Sequence, residues 1–113
     1  MPRDDAHENW TQLAEIARDR IDAVIAHLPE PLQSDARAIG YQLRQRSDSS
    51  HSPDRLGDYA DLEREITLYL FAIRDHCADE SLDFGREVQN TYLHELGHFV
   101  GLDEEHLERR GLG

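Results

Sequence analysis

The apolar positions near the start of the chain recur with the period of an α-helix. From Trp10 onward they lie at Leu13, Ala17, Ile21, Val24, Ile25 and Leu28. This stripe predicts an amphipathic helix that packs its apolar side against the rest of the domain. We place the helix cap at Asn9 and expect the polar residues 1–8 to be frayed. The helix should end at Leu28, because Pro29 disfavours helical backbone in the residue before it, and Pro31 can open one short turn.

Two later stretches predict β-strands. Residues 37–45 alternate between apolar and polar side chains, with Ile39, Tyr41 and Leu43 on one face. Residues 65–71 are β-branched and aromatic, which is typical of a buried strand. Between them, residues 47–58 are rich in serine, aspartate, proline and glycine, so we expect either a surface loop or a flap over a site. Residues 72–77 should form a turn or a short helix.

A second helical pattern occupies the later part of the chain. Asp79 or Ser81 can cap it, and we expect a well-formed helix from Arg86 to Val100, with Gly101 just past its end. Its apolar positions cover one arc, at Val88, Tyr92, Leu93, Leu96, Phe99 and Val100. The polar positions Glu87, Asn90, Thr91, His94 and His98 cover the opposite arc, with Glu95 at its edge. This distribution predicts that the apolar side packs on a sheet and that the histidine side faces a cleft or solvent.

The predicted elements together indicate a small α+β domain over residues 1–113. The order is a leading helix, a small sheet, the long second helix, and a short C-terminal helix from Glu104 to Arg110, capped by Asp103. Hydrophobic residues make up 38% of the chain and charged residues 32%, which supports a modest core. The lone Cys77 allows no intrachain disulfide.

Charge narrows the classes of partner. The formal net charge is −12, and all 12 basic residues are arginines, so a lysine nucleophile is excluded. An acidic surface repels phosphate backbones, and we therefore expect no nucleic-acid partner. The sequence has no apolar run long enough for a membrane span and no signal peptide at its start, which predicts a cytoplasmic protein without a membrane partner. Nothing in the sequence indicates the oligomeric state.

One motif carries recognisable chemistry. His94-Glu95-Leu96-Gly97-His98 reads H-E-x-x-H, and two histidines four residues apart lie one turn apart on the same side of a helix. The two imidazoles can hold one Zn²⁺, and Glu95 can reach a water molecule on that zinc. Such a water has a pKa of roughly 7, and Glu95 would take its proton and deliver it to the leaving amine. The motif therefore predicts a zinc metallopeptidase with a peptide or protein substrate.

A catalytic zinc needs a third protein ligand. Only residues 99–113 follow His98 in this sequence, so we expect the ligand to come from the acidic turn after Gly101 or from upstream. In order of preference the candidates are Glu104, His106 and Asp103. His76, just after the second predicted strand, is a further histidine that can reach the cleft.

Three other interpretations stay open. Both histidines and Glu95 can simply belong to a solvated polar helix face. The domain can also bind zinc as a catalytically weak or inactive regulatory module, since so small a chain offers little cleft. Zinc-dependent endoribonucleases place ligands at the same +4 and +10 spacing, but Glu95, Glu104 and the acidic charge count against that class.

These features resemble the small bacterial zincin-like metallopeptidases, also called mini-zincins. The resemblance rests on residues 66–69, on the run from His94 to Gly101, and on residues 102–105 and 107–112. It implies a minimal zincin-like α+β fold, with zinc on His94 and His98 and an acidic third ligand at the position of Glu104, where the family usually has aspartate. It also implies that the peptide binds by strand addition to an edge strand, near residues 66–71 or in the segment before them.

Overall fold

The computed structural model describes residues 2–47, 55–60 and 64–100. In chain order the elements are α1 (Pro2–His27), α2 (Leu32–Ala38), β1 (Gly40–Arg44), β2 (Gly57–Ala60), β3 (Glu65–Tyr69), α3 (Leu70–Glu80) and α4 (Phe84–Phe99). The predicted α+β class is confirmed, with a leading helix, a small sheet and a long helix that carries the H-E-x-x-H motif. The predicted C-terminal helix at residues 104–110 lies outside the described residues.

Helix α1 follows its predicted apolar stripe, and Ala14, Ala17 and Ile21 are buried in the core. Its start was predicted wrongly. The helix begins at Pro2, so residues 2–8 are helical rather than frayed and Asn9 lies inside the helix instead of capping it. Proline suits a first helical position, because the N–H that it lacks would have no helical acceptor there. The end at His27 falls one residue before the prediction.

The first strand is shorter than predicted because a helix precedes it. Helix α2 takes up residues 32–38, and β1 begins only at Gly40. Leu32 and Ala36, one helical turn apart, are both buried, so the short helix is stabilised by packing against the core. The prediction of a strand from residue 37 is therefore wrong for residues 37–39, while the strand itself is confirmed.

Strand β3 lies in the middle of a three-stranded sheet with the order β1-β3-β2. It runs parallel to β1 and antiparallel to β2, and Leu68 pairs with Leu43 on one side and with Gly57 on the other. Two sequence predictions are corrected here. The strand ends at Tyr69 rather than residue 71, because α3 starts at Leu70, and residues 57–58 of the predicted loop belong to β2.

The helices α1 and α4 pack together on one face of the sheet. Ile66 and Leu68 of β3 point into this layer and are fully buried, as are Tyr92 and Leu96 of α4. Residues 72–77, predicted as a turn or a short helix, lie within α3. Among the described helices, none combines the length and the apolar character that crossing a bilayer requires.

Candidate metal centre and its pocket

Asp83 fixes the start of the helix that carries the motif. Its side chain accepts a hydrogen bond from the backbone N–H of Arg86 at 2.9 Å, which satisfies one of the free donors of the first turn. The predicted caps were wrong, because α3 extends further than expected. Asp79 lies inside α3, and Ser81 ends α3 in a left-handed conformation with φ of 56°.

The predicted apolar side of α4 is confirmed. Val88, Tyr92, Leu93 and Leu96 are buried, and Phe99 and Val100 are half-buried at its end. The opposite side is less open than the sequence indicates, since Thr91 and Glu95 are also buried. The prediction that this side faces a cleft or solvent is confirmed for His98, which is exposed, and for Thr91, His94 and Glu95, which line a cavity.

Strand β2 covers Thr91 and Glu95, and Gly57 makes that close approach possible. A Cβ atom built on Gly57 would lie 2.8 Å from Cγ2 of Thr91 and 3.2 Å from Cγ of Glu95. Any larger residue at this position would push the strand away from the helix. Gly57 therefore sets how closely the sheet edge and the motif helix pack.

His94 and His98 direct their side chains toward a common point. Their Nε2 atoms are 2.9 Å apart, and their rings lie edge to face with centroids 4.4 Å apart. Two imidazole nitrogens bound to one tetrahedral zinc would lie about 3.3 Å apart, given Zn–N distances of roughly 2.0–2.1 Å. The observed spacing is close to this value, so the pair fits a shared metal ion.

The carboxyl group of Glu95 lies beside this pair in a poorly hydrated position. Burial raises the pKa of the Glu95 carboxyl, while positive charge on His94 and His98 acts in the opposite direction. Among the neighbouring charges, Asp58 also raises this pKa and Arg55 lowers it. A carboxyl group that holds a proton more readily than usual suits an acid–base role.

A cavity of about 340 Å³ opens beside the motif. Its lining comes from the segment leading into β2 and from the polar side of α4: Arg55, Leu56, Gly57, Asn90, Thr91, His94 and Glu95. The sequence predicted the α4 side of this cavity, and the other wall belongs to residues 47–58, for which a flap over a site was one of the two expectations. No local signal singles out Arg55 and Leu56, because their position depends on the pairing of β2 with β3.

The three candidates for the third ligand lie outside the described residues. Glu104, His106 and Asp103 all lie in residues 101–113, outside that part of the chain. Within residues 2–47, 55–60 and 64–100, no group of three or more histidine, cysteine, aspartate or glutamate side chains is arranged to hold a metal. His76 lies on α3 and is not among the residues that line the cavity.

Comparison with known proteins identifies the family. Residues 20–113, well over half of the chain, match the family described as Zincin-like metallopeptidase. No curated protein and no solved structure matches the chain. The matched region includes the sheet, α4 and the whole H-E-x-x-H motif, and the chain therefore belongs to the zincin-like metallopeptidase family.

Proposed function

We propose that this protein is a zinc-dependent metallopeptidase that hydrolyses peptide bonds with Glu95 as its general base. One observation carries the proposal: the Nε2 atoms of His94 and His98 converge to 2.9 Å beside the buried carboxyl of Glu95. Membership of the zincin-like metallopeptidase family supports the same conclusion. His94 and Glu95 line a cavity, which would give a substrate access to them.

In this proposal His94 and His98 hold Zn²⁺ through their Nε2 atoms. Glu104 is the proposed third ligand, with His106 as the alternative, because both follow closely after the helix that carries the histidines. When bound, zinc acts as a Lewis acid and lowers the pKa of a water molecule to roughly 7. The two histidines already lie one turn apart on a rigid helix, so little reorganisation is needed to bind the ion.

Glu95 moves the proton in the proposed reaction. The oxygen of a water molecule bonds to the carbonyl carbon of the scissile peptide, and the carboxylate of Glu95 accepts the proton that this water loses. The C–N bond then breaks, and Glu95 delivers that proton to the leaving nitrogen. The partial burial of Glu95 under β2 limits competing hydrogen bonds from bulk water.

The substrate would lie along β2. The expectation of an edge strand at residues 66–71 is wrong, because β3 has a hydrogen-bonded neighbour on each side. Strand β2 comes from the segment before it and pairs with a single strand among the described residues, on the side of the sheet nearest Thr91 and Glu95. A peptide added to the outer edge of β2 would pass close to the histidine pair.

Metal content and cleavage, measured together, test this function. The purified protein should contain about one zinc per chain and cleave members of a peptide library, and a chelator should stop cleavage until zinc is restored. A protein that holds zinc but cleaves no peptide would support the regulatory-module alternative. A protein that cleaves peptides at an unchanged rate after zinc removal would overturn the proposal.

The third ligand can be assigned by comparing Glu104→Ala with His106→Ala. The variant that removes a direct ligand should lose at least about 100-fold in zinc affinity, while the other should bind zinc as the wild type does. If both variants keep wild-type zinc affinity, the third ligand lies elsewhere in the chain.

A further inference from the structure

Among the described residues that line the cavity, Arg55 alone carries a permanent positive charge. The other lining residues are neutral, acidic or, for His94, titratable. Arg55 lies on the wall opposite α4, in the segment that leads into β2, and its charge acts on the carboxyl of Glu95. Arg55 is therefore part of the same cavity as the proposed acid–base group.

The contacts of Arg55 leave it able to bind a ligand. Its Nη1 atom lies 3.2 Å from Oδ2 of Asp58, and both side chains are about half exposed. A guanidinium has five N–H donors in a planar fork, so one carboxylate contact does not use its binding capacity. An exposed ion pair of this kind contributes little to folding, which makes a purely structural role a weak explanation for the arginine.

The charges around the cavity indicate what Arg55 would bind. Glu95 lines the cavity and Asp58 lies 3.2 Å from Arg55, so a substrate carboxylate there would be repelled unless a cation compensates. A guanidinium matches the geometry of a carboxylate with two parallel hydrogen bonds. We infer that Arg55 is a specificity-determining residue that binds a carboxylate of the peptide substrate within the cavity shared with His94 and Glu95. This inference rests on the proposed peptidase function.

Two parts of a peptide can supply that carboxylate. One is the side chain of an aspartate or glutamate near the scissile bond, and the other is the free carboxylate at the peptide C-terminus. The chemistry at Arg55 is the same in both cases. Three peptides distinguish the two sources. The first has glutamate and a free C-terminus, the second has glutamine instead of glutamate and a free C-terminus, and the third has glutamate and an amidated C-terminus.

The chain offers a closely matched control in Arg46. Its Nη2 atom pairs with Oδ2 of Asp75 at 2.6 Å, and the two side chains are exposed to nearly the same degree as Arg55 and Asp58. Arg46 lines a different cavity, beside Trp10 and the end of β1. Removing Arg46 therefore takes away the same charge and the same kind of ion pair without touching the proposed site.

The test measures KM and kcat for these peptides with wild type, Arg55→Ala, Arg55→Lys and Arg46→Ala. Arg55→Ala should raise KM for the preferred acidic peptide by about 10- to 100-fold, the range expected for losing hydrogen bonds to a charged group. Arg55→Lys should restore part of this loss, because lysine keeps the charge but not the fork. Arg46→Ala should match the wild type on every peptide.

The peptide comparison then identifies the source of the carboxylate. If the wild type cleaves the acidic peptide less well once glutamate is changed to glutamine, Arg55 binds the glutamate side chain. If cleavage falls on amidation instead, Arg55 binds the C-terminal carboxylate. Equal cleavage of all three peptides by the wild type would overturn the inference. So would an Arg55→Ala variant that lowers the cleavage of all three peptides equally.

Equilibrium binding separates this inference from the peptidase proposal. Binding of the same peptides, with a fluorescent label, is measured on Glu95→Ala and on Glu95→Ala combined with Arg55→Ala. The inference is supported if Glu95→Ala binds the acidic peptide more tightly than the peptide without that carboxylate, and if the double variant loses this difference. This holds even where no cleavage is detected. Cleavage by the wild type without any Arg55-dependent preference would leave the peptidase proposal intact and remove this one.

Discussion

Tyr92 and Glu95 lie three residues apart on α4, and both hold a titratable group away from water. Tyr92 is fully buried, and Glu95 is 9% exposed. Burial raises the pKa of both groups, that of the Tyr92 hydroxyl to about 12. Judged by desolvation alone, both positions are unusual.

Their surroundings differ in chemistry. The ring of Tyr92 packs edge to face against Tyr41, with centroids 6.2 Å apart, and its hydroxyl finds no hydrogen-bond partner among the described residues. Glu95 instead lines an open cavity, next to His94 and within the field of His98 and Arg55. A buried titratable group thus indicates a site when other reactive groups converge on it and a substrate can reach it.

The largest expected difference between the two sides of α4 concerns zinc. His94→Ala should lower zinc affinity at least about 100-fold, because losing a direct ligand costs no less than losing the groups that support one. Tyr92→Phe, on the other side of the same helix, should leave the affinity unchanged. Competition with a chelating dye measures both. Equal affinities of the two variants would mean that the histidine side does not hold the metal.

A methyl group added at Gly57 should disturb the Glu95 side of α4. Gly57→Ala would bring its Cβ to 2.8 Å from Cγ2 of Thr91, and should cost about 1–3 kcal/mol in the free energy of unfolding. Gly40→Ala is the control, because its nearest atom would be the carbonyl oxygen of Arg64 at 4.0 Å. Urea unfolding gives both values. A Gly57→Ala variant as stable as Gly40→Ala would show that β2 does not pack closely on α4.

Ionisation of Tyr92 should lower the free energy of unfolding at alkaline pH. Burial raises the folded pKa of the Tyr92 hydroxyl, so stability is undiminished below pH 10, where the hydroxyl is neutral in both states, and falls as the pH rises toward about 12. A folded pKa of about 12 instead of 10 predicts that the free energy of unfolding falls by about 1 kcal/mol between pH 8 and pH 11. Tyr92→Phe should lack this part of the loss in urea unfolding at the two pH values. Parallel losses in variant and wild type would contradict the assignment.

The smallest effect on stability is expected at Asp75, which lies on α3 and not on α4. Hydrogen bonding from Arg46, with a further contribution from Arg74, lowers the pKa of the Asp75 carboxyl. Its stabilisation is therefore present above pH 3.8 and is lost as the pH falls through the lowered folded pKa. The pair is half exposed, so Asp75→Asn should cost less than about 1 kcal/mol at pH 7. A cost above that value would show that the pair is less solvated than its exposure indicates.

Helical periodicity predicted the parts of the site that lie on one helix. The buried side of α4 and the juxtaposition of His94 and His98 both follow from the 3.6-residue repeat, so they could be derived without a structure. The apolar stripe of α1 was found in the same way. The start of α1 could not be found from periodicity, because Asn9 and Pro2 are both acceptable start signals. Only packing or local context chooses between them.

The other wall of the site depends on contacts between distant segments. Residues 47–58 have the composition of a loop, yet Gly57 and Asp58 pair with β3, and Gly57 lies close to Thr91 and Glu95. Pairing across the sheet overrides local turn preference here, and nothing near Gly57 in sequence shows which helix it approaches. Likewise, the short apolar pair of α2 is too weak a signal to compete with the alternation of residues 37–45.

The central claim is that Glu95 moves the proton in a zinc-dependent peptide hydrolysis. The most direct test measures zinc content and peptide cleavage on the same sample of Glu95→Ala, with the wild type beside it. We expect about one zinc per chain in both proteins, and cleavage by the variant at least about 100-fold slower. A variant that holds zinc and cleaves at the wild-type rate would contradict the claim.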